Sequence, residues 1–408
     1  MQSMRNACSL LPCTKTPGDL ATVFTVIPVF NRLLFTKECL NSLLAQTYAP
    51  LRLVVVDGGS TDGTIEQLQR HYPQVIILQG EKELWWGGAM QLGIEYSLRQ
   101  SSREDDMLLM MNNDTIIEQD YVKTLVRVSR ERNAAVGGLI VDSRDPTHVL
   151  DAGEFIDWKT YSFSAKTQIG LGETFFEGVD VLPGRGTLVP MHMIKQSGNI
   201  NALSFPHYIA DYEFFCRLKR QGFRLGVTYE TRVQSHVKAT GLFAGASAFL
   251  TFCQAWETLF SMGSMHNVRD HWRFIEHCAP SHLQSRLKGR LLWHSMYLAI
   301  SRTKLRHVVL PLSWFVAGTY YVTKSDCDHC GLNSDELVQA NILRPWTKEG
   351  WYIFFAPREE WWHERRDLRS LYARSRNPLT KVSRWLKAKA YCRSTAHRLS
   401  RYPSGNDK

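Results

Sequence analysis

No apolar run in this sequence is long enough to cross a bilayer. The uncharged stretch Val308–Val322 falls short of the roughly 18–20 residues required and is interrupted by Pro311, Ser313 and Gly318, so a buried or interfacial helix pair is expected there. Cysteine is sparse as well: nine are scattered over 408 residues, without the density of a disulfide scaffold, which points to a reducing compartment. Only Cys327 and Cys330 are close, and one CxxC without a second pair is a weak zinc signal beside free thiols. Residues 1–20 lack the unbroken apolar core of a signal peptide, carrying Pro12, Pro17, Gly18 and Asp19 instead, and read as a short disordered leader. Internal repeats and low-complexity tracts are absent. So is a G-x-G-x-x-G after the first strand-like run, where Pro28, Val29, Phe30 and Asn31 stand; this argues against a dinucleotide-dependent oxidoreductase.

What is present is an ordinary globular composition, 44% hydrophobic and 22% charged, with a net charge of +10. The charge is not spread evenly. Glu364–Lys408 holds 13 basic and three acidic residues, which accounts for all of it and leaves the preceding body neutral. Attraction to phosphate, whether of an anionic membrane surface or of nucleic acid, is thereby confined to the tail, and nucleic-acid binding spread over the body is not expected. Arg286–Arg306 mixes Leu291, Leu292, Trp293, Met296 and Tyr297 with basic residues, as a helix lying in a membrane surface would, although packing against the body explains it equally. A non-catalytic membrane- or nucleic-acid-binding scaffold would account for the tail alone.

The first half alternates short apolar runs with amphipathic stretches: Ala21–Val29, Leu33–Ala45, Leu51–Val56, Thr64–Arg70, Val75–Leu78, Gly87–Arg99, Met107–Met111, Glu118–Arg130 and Ala134–Val141. This βα alternation, with continuous runs such as Leu53–Val56, predicts a doubly wound, mostly parallel sheet covered on both faces. Short strands and loops are expected over Val149–Val189, a helix near Met193, another over Tyr212–Gln221 stopped by Gly222, and a strand near Phe223–Val227. After His236 the pattern turns helical, aromatic and basic. Four segments follow: the leader (1–20), an α/β domain (21–240), a helical region (241–325) and a basic aromatic extension (326–408).

Ligands of such sheets bind beyond the carboxyl ends of the strands. Asp57 stands at one such end, Asn112, Asn113 and Asp114 follow another, and the Pro28–Asn31 turn follows the first. Ser60 and Asp62 are expected to cap a helix. Asp211 and Glu213 open a later helix, and being two residues apart they point in different directions. His236 ends a strand-like run, where a satisfied structural histidine is the commoner occupant.

In their order and spacing, Ile27–Asn31, Val54–Gly63, Asn112–Asp114, Asp211–Glu213 and Ser235–His236 resemble the family 2 glycosyltransferases of GT-A fold, across about Thr22–Val237. Leu84–Ala89, with its paired Trp85 and Trp86, and the Asn-Asn-Asp triplet are further similar to the branch holding rhamnosyl- and related deoxysugar transferases of bacterial surface polysaccharides. The resemblance implies a mixed, mostly parallel GT-A sheet flanked by helices, with a helical C-terminal extension. It implies inverting transfer of a sugar from a nucleotide-sugar donor to a glycan or lipid-linked acceptor, at the cytoplasmic face of the cell membrane. Asp57 would hold the nucleotide base beside Pro28, Val29 and Asn31. Trp85, Trp86, Gly88, Asn112 and Asn113 would line the donor site, and Asp114 with His236 would hold Mg2+ or Mn2+. Asp211 would be the catalytic base, and Arg185 and Glu213 would face the acceptor. Asn112 replaces the first acid of the usual metal motif, so metal binding rests on Asp114, and Ala210 stands where a second acid often precedes the base.

Overall fold

The computed structural model describes residues 20–80, 84–236, 252–302, 319–339, 343–345 and 351–355. The leader, most of the Val308–Val322 run and the basic tail lie outside the described residues.

The chain forms two compact units, one of residues 1–244 and 257–295 and the other of residues 245–256 and 296–408. Residues 257–295, assigned above to a separate helical region, thus cluster with the sheet. In chain order the first unit contains β1 (Val23–Val29), α1 (Leu33–Leu44), β2 (Leu51–Asp57), α2 (Thr64–His71), β3 (Ile76–Gln79), α3 (Trp85–Gln100), β4 (Met107–Met110), β5 (Thr115–Ile117) and α4 (Tyr121–Arg132). It continues with β6 (Ala134–Asp142), β7 (Asp145–Asp151), β8 (Glu154–Asp157), β9 (Ser162–Ala165), β10 (Phe175–Glu177), β11 (Thr187–Pro190), α5 (Met191–Ser197), α6 (Ala210–Arg220) and β12 (Arg224–Ser235). Helices α7 (Phe252–Phe260), α8 (Val268–Cys278) and α9 (Ser281–Arg302) follow.

One ten-stranded sheet runs β10-β12-β6-β11-β4-β1-β2-β3, with β5 on β12 and β7 on β6. Strands β3, β2, β1 and β4 are mutually parallel, β11 is antiparallel to both β4 and β6, and β6 and β12 are parallel to each other. Strands β1, β2, β3, β4, β6 and β12 therefore point one way and β5, β7, β10 and β11 run against them, giving the mixed, mostly parallel sheet expected. Burial explains why the strand runs lack a polar face. Val54 and Val56 belong to one core with α3, α5 and α6, whereas Leu53 and Val55 belong to the opposite core with α1, α2 and α4. Apolar residues must alternate with apolar residues when both faces are covered.

Two differences from the sequence reading stand out. The strand expected to end near Val227 continues through an irregularity between Thr228 and Arg232 to Ser235, which pairs with Thr115 and returns the chain to the site. The second unit is not purely helical: Thr319–Thr323, Trp351–Phe355 and Leu343–Pro345 form a three-stranded antiparallel sheet, beside short helices at Lys324–His329 and Ser334–Gln339. The first two strands, TYYVT and WYIFF, are built from the β-branched and aromatic residues that suit a pleated surface.

Candidate active site

Parallel pairing carries the carboxyl ends of β1, β2 and β4 to one edge: Val29 stands opposite Asp57, and Val26 opposite Met110. Because β11 runs against β4, with Thr187 opposite Met110, the loop preceding it reaches the same edge. Gly186 N–H donates to the Met110 carbonyl at 2.7 Å there.

The β1 and β2 turns are tied together. Pro28 and Val29 are buried in β1, and Asn31 and Arg32 follow with φ of 57° and 63°. Asn31 N–H donates to Ser60 Oγ at 2.7 Å, Thr61 N–H to Asn31 Oδ1 at 2.9 Å, and Leu33 N–H to Asp62 Oδ2 at 3.3 Å. Asp62 also accepts from Thr64 N–H at 3.1 Å, but the N-cap of α2 is Gly63, so neither Asp62 nor Ser60 is the helix cap expected; both tie the turn after β1 to the turn after β2. Asp57, 4% exposed, accepts from Gly59 N–H at 3.0 Å and Ser60 N–H at 3.1 Å.

After β4 the three polar residues separate. Asn112 Oδ1 accepts from Trp86 Nε1 at 2.9 Å, and Asn113 Nδ2 turns to Thr36 Oγ1 at 3.1 Å. Asp114, 2% exposed, keeps its Oδ2 3.4 Å from Arg32 Nη1, while its buried Oδ1 has no hydrogen-bond partner. Burial raises its pKa against the opposing charges of Arg32, Arg185 and His236. A buried carboxylate oxygen without a donor is what a hard cation would satisfy, so Asp114 fits a divalent metal; Asn112 and Asn113, turned to Trp86 and Thr36, do not join it. His236 lies at this point through its backbone, its N–H donating to the Asp114 carbonyl at 3.2 Å. Both nitrogens of its ring, expected as a metal ligand, are engaged by protein groups, Nδ1 with Ser143 Oγ at 3.0 Å and Nε2 with Glu38 Oε2 at 3.1 Å. Among the described residues no group of three or more His, Cys, Asp or Glu side chains converges as a metal site.

Asp211 opens α6 directly after Ile209 and Ala210, and Ile209 is held at φ 66°, a strained value for a β-branched residue. Asp211 Oδ2 accepts from Gly184 N–H at 2.8 Å and Oδ1 from Tyr212 N–H at 3.0 Å. Burial raises its pKa, opposed by those N–H groups and by Arg185. Glu213 points elsewhere, as the i, i+2 spacing requires: it is buried and makes a two-pronged pair with Arg217 at 2.9 and 3.0 Å. The expected acceptor role of Glu213 is therefore replaced by a structural one, since both its oxygens are occupied. Arg185 Nη1 donates to Ser235 Oγ at 3.3 Å, and its charge acts on both Asp114 and Asp211.

The loop holding Arg185 is shaped by aromatic contact. A Cβ on Gly184 would lie 2.3 Å from the Trp86 ring, and one on Gly186 would meet both Val233 and the Tyr121 hydroxyl within 2.6 Å. Tyr121, fully buried, donates to the Gly186 carbonyl and accepts from Gly138 N–H at 3.1 Å. Trp85, at φ 49°, lies 5.2 Å from the His207 ring, and His207 lies 4.2 Å from Tyr208. Gly88 N–H donates to the Leu84 carbonyl at 2.9 Å, closing the first turn of α3. Burial, with the charge of Arg32, lowers the His207 pKa to about 4, and its buried Nδ1 has no hydrogen-bond partner.

Sequence reasoning missed Arg32, Tyr121 and His207. Arg32 could have been found as a basic residue adjoining the Asn31 turn, and His207 as the ring shortly before Asp211. Tyr121 gives no local signal, because its function depends on β6 and β11 meeting beside it.

The profile of glycosyl transferase family 2 matches residues 25–180, and that of glycosyl transferase family group 2 matches residues 107–324, more than half of the chain. The chain belongs to the family 2 glycosyltransferases. It is 28% identical over 120 residues to the glycosyltransferase GlyG of Streptococcus pneumoniae, covering 28% of this chain and 37% of that protein. It is 30% identical over 144 residues to the glucosyl-dolichyl phosphate glucuronosyltransferase of Haloferax volcanii, covering 34% and 42%. The chain thus spans less than half the length of these relatives. The mannosyltransferase PcManGT of Pyrobaculum calidifontis, solved with GDP-Man and Mn2+, aligns with a TM-score of 0.42 at 16% identity over 69% of this chain and 71% of that one.

Proposed function

We propose that this protein is an inverting glycosyltransferase that moves a sugar from a nucleoside-diphosphate donor to a hydroxyl of a glycan or lipid-linked acceptor. The observation that carries this reading is Asp211: an acid at the start of α6, fixed by Gly184 N–H, with its pKa raised by burial. A carboxylate with a raised pKa is a better proton acceptor near neutral pH than an ordinary one. Asp211 takes the proton of the acceptor hydroxyl as that oxygen attacks the anomeric carbon. The new C–O bond forms on the face opposite the diphosphate, whose oxygen leaves with the electron pair, so the configuration inverts. Asp114 would hold a divalent cation, which would supply Lewis-acid neutralisation of charge on the leaving diphosphate.

The base of the nucleotide meets the β1–β2 edge, where Asp57, Pro28, Val29 and Asn31 converge. The sugar faces Trp85 and Trp86, whose flat apolar surface suits the methyl group of a 6-deoxysugar such as rhamnose, and Arg185 meets a phosphate of the acceptor. These assignments fit synthesis of a surface polysaccharide at the inner face of a membrane. Among the described residues no helix is long and apolar enough to cross a membrane, but Leu292 and Trp293 stand exposed on α9, as peripheral attachment would use them.

The test pairs binding with turnover. Candidate donors are identified by thermal shift with UDP-, GDP- and dTDP-sugars, since a ligand of the folded state raises apparent stability. Asp211→Asn is then expected to lower kcat by about 10^3-fold with donor affinity nearly unchanged. Full activity in that variant overturns the base assignment; a shift with NAD(H) and none with any nucleotide sugar overturns the transferase reading.

A further inference from the structure

The residues after β4 provide one negative charge, and Asn112 and Asn113 are turned to Trp86 and Thr36. The cationic group that touches Asp114 is Arg32, whose Nη1 lies 3.4 Å from Asp114 Oδ2. Its position is built in. Arg32 is the second of two consecutive left-handed residues, and its carbonyl accepts from both Thr36 N–H and Thr36 Oγ1 at 3.1 Å. The preceding Asn31 is clasped to Ser60 and Thr61. Left-handed backbone at a residue with a side chain persists only where its surroundings enforce it. The charge of Arg32 also reaches His207 and Tyr208, on the approach to α6, and Arg185 supplies a second guanidinium acting on Asp114. A guanidinium presents a planar fork of donors that matches phosphate oxygens.

We infer that Arg32 is the resident cation of the donor site: with Arg185 it neutralises the donor's diphosphate, and between donors it pairs with Asp114. This rests on the transferase reading and adds a consequence of its own. Nucleoside-diphosphate binding depends on divalent metal much less than it would at a site of two carboxylates, because part of the neutralising charge belongs to the chain.

The experiment is calorimetric titration of UDP, GDP and dTDP into the full-length protein, in EDTA and in Mn2+, for the wild type, Arg32→Ala and Arg32→Lys, with thermal unfolding as the check of folding. The wild type is expected to bind one of the three in EDTA within about fivefold of its Kd in Mn2+. Arg32→Ala should weaken binding in EDTA by about 10–100-fold, the range for a lost charge-assisted contact, and recover most of it in Mn2+. Arg32→Lys, which keeps the charge without the fork, should fall between them. Wild-type binding in Mn2+ alone overturns the inference while leaving the transferase reading intact, and needs no variant to fold. Equal affinity of Arg32→Ala and wild type in EDTA overturns it as well. Binding of none of the three diphosphates in either buffer overturns both.

Discussion

The two ends of the candidate site are built by opposite rules. At the β1–β2 end the polar groups satisfy one another: Asp57 is bonded to the backbone of its own turn, Asn31 to Ser60 and Thr61, and Asp62 to Leu33 and Thr64. At the β4–α6 end buried polar atoms are left over, Asp114 Oδ1 and His207 Nδ1, and two carboxylates are pushed toward the neutral form. The contrast teaches that the first end is a preformed mould, whose shape stabilises the fold, whereas the second carries a cost that only a bound substrate or ion can offset.

Glu213 and Asp211, two residues apart, bring that contrast into a single helix turn. Glu213→Ala should destabilise the protein by about 3 kcal/mol, the low end for breaking a buried ion pair, measured by urea unfolding. Donor affinity should hardly change; an unaltered stability would mean that the Arg217 pair contributes nothing. Next in size, Asp57→Ala should cost about 2 kcal/mol by stranding the Gly59 and Ser60 N–H groups, whereas Asp114→Asn should cost less than about 0.5 kcal/mol or stabilise. Equal losses in these two variants would erase the distinction between mould and reactive end.

The smallest effect concerns Glu154, at the start of β8, whose carboxyl is pushed well above its ordinary value by burial and then by the charge of Asp151. A raised folded pKa means that the native state holds a proton the unfolded chain releases. Its stabilising contribution is complete below the ordinary carboxylate pKa of about 4.3 and is lost as pH rises through the folded value. Glu154→Gln, which fixes the neutral form, should therefore flatten the fall of stability as pH rises above the ordinary carboxylate range. A variant as pH-dependent as the wild type would show that another group titrates.

The sheet was legible because burial on both faces leaves continuous apolar runs, and Val54, Val55 and Val56 say this without their neighbours. The strand-end positions of Asp57 and Asp114 followed from that pattern, as did the divergence of Asp211 and Glu213 from helical geometry. Which acid takes which partner was not legible. Glu213 meets an arginine that also binds the Ser197 and Asn199 carbonyls, and Asp211 meets a backbone N–H some twenty-seven residues away.

Sequence by itself thus determined the order of the strands' apolar runs, the family motifs and the neutral body with its basic tail, since each depends on residues near one another in the chain. Only the tertiary structure decided that β12 runs on to Ser235, that the His236 ring turns to Ser143 and Glu38, and that Arg32 reaches Asp114. Those outcomes depend on strands and loops separated by tens to hundreds of residues, brought to one edge by a sheet whose central strands, apolar on both faces, lack the alternation that would mark their register.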